Sequence, residues 1–525
     1  MKKIILPFLL AVGWPYRAYP QESTLDERIN DAISPITSSI FNFVMTPIEF
    51  SEQISLPIVL IVLLCGAAYF TVYFGFPNFT RVGLAINVVR GKYQATKTES
   101  RSPNIINGDD PDTIRKENVE GEVSPFQALT AALSATVGLG NIGMVAVAIV
   151  AGGPGATFWM IIAGMLGMAS KFTECTLGVK YREVMPDGTV HGGPMYYLSK
   201  GLKERGWATL GKIFGVFYAI MLVGGSFGGG NMFQSNQAAA QFTNVLNSDS
   251  GYSGFAFGCM MALSIAVVII GGIKRIGKVT ERIVPLMVGI YLFAALIILA
   301  KNIAHIPAAI QAIIQGAFAP EAAMGGFFVV LVIGFQRAAF SNEAGVGSAS
   351  VAHSAVKTQY AASEGVVALL EPFIDTVIVC TITALVIIVT NIDGQLVEYG
   401  NASGLNGVTL TSAAFDSVIP GFSYVLTIAV ILFAFSTMLS WSYYGLQAWK
   451  YLFGKGRLAD YLYKILFCSF VILGAASSLG AVVQFSDAMI FAMIFPNMIG
   501  LLFLAPVVKE EYHKYLQFIE NHHQN

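Results

Sequence analysis

Apolar residues in this chain gather into long runs separated by short polar stretches, and the lengths of those runs predict the elements. Taking about 20 residues as the helix length that crosses a bilayer, about eleven spanning segments can be read: 54–76, 124–151, 154–178, 211–244, 253–273, 281–302, 325–352, 364–390, 421–452, 459–480 and 483–508. The pattern is that of an all-α polytopic membrane protein. Its most informative places are those where the apolar rhythm fails. In the second segment, Thr136-Val137-Gly138-Leu139-Gly140-Asn141 sets two glycines among polar neighbours at mid-depth. Glycine loosens the backbone, and unpaired amides and carbonyls are tolerated at that depth only where they line a site.

The seventh segment is interrupted in the same way, by Gly334-Phe335-Gln336-Arg337 and then by Phe340-Ser341-Asn342-Glu343-Ala344-Gly345-Val346-Gly347. The first segment stands apart, behind a polar stretch from Lys92 to Glu122 that reads as a linker. Ten segments remain, divisible into two halves of five that each open on a broken helix. Inverted repeats with paired broken helices are how many secondary transporters build a midplane site. The expected organisation is a signal peptide over 1–20, an extracytoplasmic segment over 21–53 and an extra transmembrane helix over 54–76. A cytoplasmic linker over 77–123 follows, then a first five-helix repeat over 124–302, an extracytoplasmic loop over 303–324, a second repeat over 325–508 and a cytoplasmic tail over 509–525.

Composition agrees: 55% of the 525 residues are hydrophobic, 12% are charged and mean hydropathy is +0.64, too few charges for a soluble protein of this length. A net charge of −1 offers no basic field for nucleic acid. Met1-Lys2-Lys3 followed by Ile4 to Trp14 reads as a bacterial signal peptide, which puts the mature N-terminus outside. Basic residues then fall on alternate loops: Arg81 to Lys116, Lys180 to Arg205, Lys274 to Arg282 and Lys450 to Arg457, whereas Asn391 to Pro420 has acids and no Lys or Arg. The positive-inside rule gives the same answer, N-terminus out and C-terminus in, across a bacterial cytoplasmic membrane. Cys65, Cys175, Cys259, Cys380 and Cys468 have no CxxC spacing and read as buried free thiols.

Several polar residues inside the runs have both a structural and a functional use. Arg337 and Glu343 each cost roughly 2.5–3.5 kcal/mol on insertion unless compensated. Mutual pairing, or a capping role for Glu343 at the inner half-helix, is the favoured reading over contact with a substrate ammonium or proton uptake. Ser436-Thr437 and Ser440-Trp441-Ser442 on the ninth segment can bond back to their own helix, or offer oxygens to a hard cation. Asn231, Gln234, Gln237 and Gln241 share one helical face, too polar for lipid, that must line a cavity or meet the bundle. Glu371, Pro372 and Asp375 form a further polar spot at a kink, where pairing within the bundle is expected.

Gly138-Leu139-Gly140-Asn141, Gly192-Gly193-Pro194-Met195-Tyr196-Tyr197 and above all Phe340-Ser341-Asn342-Glu343-Ala344-Gly345-Val346-Gly347-Ser348-Ala349 resemble the signatures of the alanine or glycine:cation symporter family, the sodium:alanine symporters. The resemblance implies one extra N-terminal helix plus a 5+5 inverted repeat of the leucine-transporter (LeuT) kind with two broken helices, Na⁺ as the coupling ion and a small neutral amino acid as substrate. Carried over by motif, the amides of Leu139 and Gly140 take the substrate carboxylate. The carbonyls of Ser134 and Val137 join the hydroxyls of Ser436 and Thr437 around Na⁺. Thr136 and Asn141 stand where the wider superfamily holds a second ion. Gly138, Gln234, Phe335, Ser341, Asn342 and Trp441 complete the substrate pocket. The signal-like N-terminus and the long linker depart from the family pattern without touching the site.

The expected function is therefore Na⁺-coupled symport of alanine or glycine, with lipid as the surrounding medium and no obligate protein partner. Proton coupling or a non-transporting amino-acid sensor is the alternative. An enzyme would need a nucleophile with its base or a metal set. The histidines offer neither, since His191, His305, His353 and His513 are isolated at segment ends or in loops and His522-His523 lies in the tail.

Overall fold

The computed structural model describes residues 35, 38–51, 54–93, 121–246, 252–318, 326–392, 396–401 and 406–524. The expected signal peptide and most of the expected linker lie outside the described residues. A hairpin of β1 (Pro47–Ser51) and β2 (Ile54–Pro57), pairing Pro47 with Pro57, precedes α1 (Ile58–Tyr73). After two short helices at Pro77–Thr80 and Val82–Val89, inside the expected linker, the helices of ten residues or more are α2 (Pro125–Thr136), α3 (Gly140–Gly152), α4 (Gly155–Lys180), α5 (Pro194–Glu204), α6 (Ala208–Val245), α7 (Ser253–Ile269), α8 (Gly272–Lys301) and α9 (Ile306–Phe318). They continue as α10 (Phe327–Asn342), α11 (Ala361–Thr390), α12 (Gly407–Asp416), α13 (Phe422–Phe453), α14 (Arg457–Ala476) and α15 (Leu479–Gln524). Seven of these are long and apolar enough to cross a membrane, and the bent pair α2/α3 makes an eighth. The shorter apolar helices α1, α7 and α10 occupy three more of the predicted segments.

Large apolar side chains such as Leu263, Phe293, Ile428 and Ile465 are exposed on the outer surface, while polar residues including Asn141, Lys171, Glu371 and Asp375 are buried. Apolar side chains outside, with such ionisable groups held in a largely apolar interior, is the distribution that a lipid medium favours.

Several boundaries differ from the sequence reading. The span expected from 54 begins as strand β2 and becomes helix only at Ile58. Lys274, Arg275, Lys278 and Arg282 lie in the first turns of α8 rather than in a loop, because Gly272 (φ +66°) turns the chain and the helix resumes at once. The expected loop 303–324 contains α9, whose buried Ala309, Ile313 and Ala317 recur every four residues and seat it against the bundle. The last helix runs past 508 because Tyr512, Tyr515 and Ile519 keep one apolar face buried. Gly334-Phe335-Gln336-Arg337 does not interrupt its segment. Phe327 to Asn342 is one continuous helix, and the break begins at Glu343.

Candidate functional site

The first break is built by α2 stopping and α3 restarting at an angle of 43°. Ser124 starts α2 with a capping box to Gln127. Val137 caps its end with its amide on Leu133 O at 2.7 Å. The chain turns through Gly138 and re-enters helix as a π-helical stretch, Gly140–Met144. Gly138 is required here by close approach: a Cβ on it would collide with the Thr437 hydroxyl of α13. Its amide donates to Thr136 O (2.9 Å) and to Asn141 Oδ1 (2.9 Å). Asn141 thus folds the turn onto itself, a local use that its position three residues on permits.

Reciprocal hydrogen bonds clasp this turn to α13. Thr437 Oγ1 donates to Ser134 O (2.8 Å) and Ser134 Oγ donates to Ser436 O (2.8 Å). Ser436 Oγ bonds back to Phe433 O (3.1 Å), and Thr136 Oγ1 bonds back to Ala132 O (3.3 Å), so both of these hydroxyls serve their own helices. On the other side, Gln234 of α6 accepts from the Leu139 amide (3.2 Å) and donates to Gly229 O (3.0 Å). Gly229 belongs to a π-helical stretch, Gly228–Met232. Stretches of this kind inside α-helices often mark functional places.

The second break begins where Glu343, at φ +56°, takes the left-handed conformation that closes α10. Gly345 (φ +83°) and Gly347 (φ +91°) keep the chain irregular until the short turn Ser350–His353. Asn342 Oδ1 accepts from the Ala344 amide (2.9 Å) and Nδ2 donates to Thr376 Oγ1 (2.9 Å), pinning the break to α11. The Glu343 carboxylate accepts from Trp441 Nε1 of α13 (3.0 Å) and from Ser348 Oγ. Tyr218 Oη of α6 donates to Val346 O (2.9 Å). Mutual pairing of Arg337 and Glu343 does not occur. Arg337 is instead paired with Asp487 of α15, which also accepts from Gln336 (2.9 Å), because one helical turn and a half separates 337 from 343 and turns them to different neighbours.

The two breaks meet at Asp375. Its carboxylate accepts from Asn141 Nδ2 (2.7 Å) of the first break, from Ser341 Oγ (2.9 Å) just before the second and from Thr376 Oγ1 (2.7 Å). It lies on a π-helical stretch of α11, Phe373–Cys380. Sequence reading placed Asp375 only among residues pairing within the bundle; its signal was an acid inside an apolar run. A Cβ on Gly140 would stand 3.4 Å from Ser341 Cα, so the broken elements pass in van der Waals contact. Trp441, bonded to Glu343 of the second break, lies so close over Gly230 of α6 that a side chain there would overlap the indole. Thr411 of α12 seals one side by donating to Ile142 O (2.9 Å).

Of the residues expected at the site, Ser134, Val137, Gly138, Leu139, Gly140, Asn141, Gln234, Ser341, Asn342, Ser436, Thr437 and Trp441 are brought together. Phe335 is not. It lies two turns before the break, against Trp159 of α4 (ring centroids 6.3 Å apart). The polar face of α6 is divided among neighbours: Asn231 Nδ2 donates to Phe467 O (2.7 Å), the Val408 amide donates to Gln237 Oε1 (2.9 Å), and Gln241 Nε2 donates to Ser412 Oγ (2.8 Å). His353, expected to be isolated, is fully buried between Glu364 and Glu371. Separations of 11 and 18 residues hid that contact.

Residues 41–525 match the family model described as the sodium:alanine symporter family. The chain belongs to that family. It is 39% identical over 470 residues to the sodium/alanine symporter AgcS of Methanococcus maripaludis, covering 89% of this chain and 96% of that protein. It is 33% identical over 392 residues to the probable sodium/glutamine symporter GlnT of Bacillus subtilis, covering 74% and 78%. Among solved structures it is similar to MhsT in complex with L-phenylalanine, at 15% identity and a TM-score of 0.50, covering 75% of this chain and all of MhsT. That likeness supports the LeuT-like fold. Membership of the family makes the chain a multi-pass membrane transporter rather than an enzyme, with sodium-coupled symport of amino acids as its activity.

Proposed function

We propose that this symporter couples Na⁺ entry to uptake of alanine or glycine across a bacterial cytoplasmic membrane, N-terminus out and C-terminus in, by alternating access. The observation that carries the reading is the clasp of Thr437 and Ser134 across the first break. Carbonyls beyond the last turn of α2 lack helical partners, and their dipoles point at the hydroxyls of α13. Na⁺ would sit among Ser134 O, Val137 O, Ser436 Oγ and Thr437 Oγ1, all hard oxygen donors. Asn141, Ser341 and Asp375, with Thr136 nearby, are the candidates for a second cation. For substrate, the Gln234 carboxamide oxygen on the Leu139 amide stands in for a carboxylate oxygen. A bound amino acid would displace it and take the Leu139 and Gly140 amides. The tight Gly140–Ser341 passage and the indole of Trp441 favour a side chain no larger than a methyl group.

The test is isotope uptake into proteoliposomes under an imposed Na⁺ gradient. Uptake should follow the gradient, compete with alanine and glycine before larger amino acids, and fall sharply in Asn141→Ala and Thr437→Ala. Uptake driven by a pH step and indifferent to Na⁺ overturns the reading.

A further inference from the structure

The sodium reading leaves a second buried polar assembly unused. It lies between the second break and the end of the bundle where the basic loops gather. His353, in the turn that follows the break, is fully buried. Its Nδ1 lies 2.6 Å from Glu364 Oε1, and its Nε2 contacts Glu371 Oε1. The other oxygen of Glu371 is 3.2 Å from Lys171 Nζ, and both of those side chains are also fully buried. Glu364 lines a cavity of about 310 Å³ at this end, together with Ser124, Lys357, Ser363 and Tyr515. Tyr515 is itself buried, and its hydroxyl has no hydrogen-bond partner.

Proton counting makes the assembly specific. A neutral imidazole has one N–H and one acceptor nitrogen, so it can satisfy only one of two carboxylates. With both ring nitrogens against carboxylate oxygens, the triad must hold an extra proton, as imidazolium or as a carboxylic acid. With that proton, Lys171, His353, Glu364 and Glu371 sum to zero charge; without it, a net negative charge and a lone pair facing a carboxylate are left in a buried place. The ionisable groups facing the triad are Lys171, Glu174 and Cys175 from α4, Tyr444 from α13, Glu343 from the break, Arg182 beside Glu364, and Tyr515 of α15 and Lys357 across the cavity that Glu364 lines; α2 has none. Glu174 and Glu343 are bonded elsewhere, to Asn497 (2.9 Å) and to Trp441 (3.0 Å). Cys175, His353 and Glu371 are near enough to one another for metal ligands. The direct imidazole–carboxylate contacts and the Lys171 ammonium already occupy the donor atoms of His353 and Glu371, which leaves Cys175 alone as a ligand and favours a proton over a metal here. The contrast is His191, buried beside the neutral amide oxygen of Gln447 (Nδ1 to Oε1 2.7 Å); burial lowers its pKa, and it has no need of a second proton.

We propose that Glu364, His353 and Glu371 form a proton-binding site within the membrane, filled and emptied through the cavity that Glu364 lines, and that its proton latches the inner part of the second broken element. To swing away, the Ser350–His353 turn must leave both carboxylates; the proton then passes from the imidazole, by way of Glu364, to water in the cavity. The effect on flux rests on the transport reading above, whereas the proton site does not. Alanine flux through vesicles of known orientation should fall about tenfold per pH unit once the basic face is acidified below the site's midpoint, and should be indifferent to pH on the other face. His353→Gln and Glu364→Gln should flatten that dependence, and His191→Gln should keep it. Flux that ignores pH on the basic face, or a His353→Gln or Glu364→Gln variant with the unaltered pH profile, overturns the proposal. ¹⁵N-histidine spectra of the full chain in detergent give the second readout, with the His353 signal assigned by its loss in His353→Gln. That signal should pass from the imidazolium to the neutral form as pH is raised, and should shift its midpoint in Glu364→Gln. A His353 signal unaltered by Glu364→Gln overturns the site. Absence of alanine flux from the unaltered chain overturns the substrate reading and leaves the spectra to decide the proton site.

Discussion

The two breaks differ in what fills them. The first, around Val137 to Leu139, contains no ionisable side chain and is held by backbone groups: Ser134 O to Thr437, the Leu139 amide to Gln234 and the Gly138 amide to Asn141. The second, around Glu343 to Ala349, is held by side chains, with Glu343 fixed by Trp441 and Ser348 and Asn342 fixed by Thr376. Backbone carbonyls and amides can exchange their partners for an ion or a carboxylate without changing charge, whereas a buried carboxylate left without its donors is costly. The first break is thus suited to ligands that come and go. The second is suited to anchoring, with its motion tied to the buried cluster beneath it.

The largest expected effect separates the breaks directly. Gly138→Ala puts a methyl group onto the Thr437 hydroxyl, so Na⁺-driven uptake should fall about 10²-fold or more with the protein still inserted. Gly345→Ala meets the movable tip of Leu63 and an unfavourable φ instead, so its loss should appear as about 1–2 kcal/mol of thermal stability with Na⁺ dependence retained. Uptake assays beside thermal melts of both variants check this; equal loss of Na⁺ dependence would break the comparison. Next comes the ion pair that fastens the outer helix of the second break. Arg337→Met leaves Asp487 buried and uncompensated, at roughly 3–5 kcal/mol, and Arg337→Met with Asp487→Leu should recover most of it in the same melts. A smaller effect is expected at the clasp. Thr437→Val keeps the volume and removes the donor, so half-maximal uptake should need about tenfold more Na⁺, while Thr437→Ser stays near the unaltered chain.

The first break was legible because glycines beside Thr136 and Asn141 contradict an otherwise apolar helix, and the hydroxyls of Ser436 and Thr437 are equally conspicuous among apolar neighbours. What the run pattern could not give is which partner each polar group takes. Ser436 turned its hydroxyl to Phe433 O and offered its carbonyl to Ser134, a choice of rotamer rather than of residue. Gly334 to Arg337 looked like a break because Gly and two polar residues adjoin, yet Gly334 packs against α4, where a side chain would meet Trp159 and Ala156 O. Asp375 and His353 were visible as single residues but not as hubs. Their partners come from helices far apart in sequence, and no periodicity links positions 141, 341 and 375 or 171, 353 and 371.

The smallest expected effect bears on Glu343, the acid inside the second break. If the carboxylate serves to hold that break together, its hydrogen-bond geometry matters more than its charge. Glutamine keeps an oxygen for Trp441 Nε1, and its amide can donate to Ser348 Oγ, which turns to accept. Glu343→Gln should therefore change Na⁺-driven alanine uptake by less than about threefold. Glu343→Ala strands a buried indole N–H and should lose about 1–3 kcal/mol of stability. A carboxylate that instead carried a proton or met the substrate ammonium would make Gln as damaging as Ala, because both remove the charge and only one removes the hydrogen bonds. Uptake and melting of the two variants, measured together, decide whether the second break is an anchor or a second binding element equal to the first.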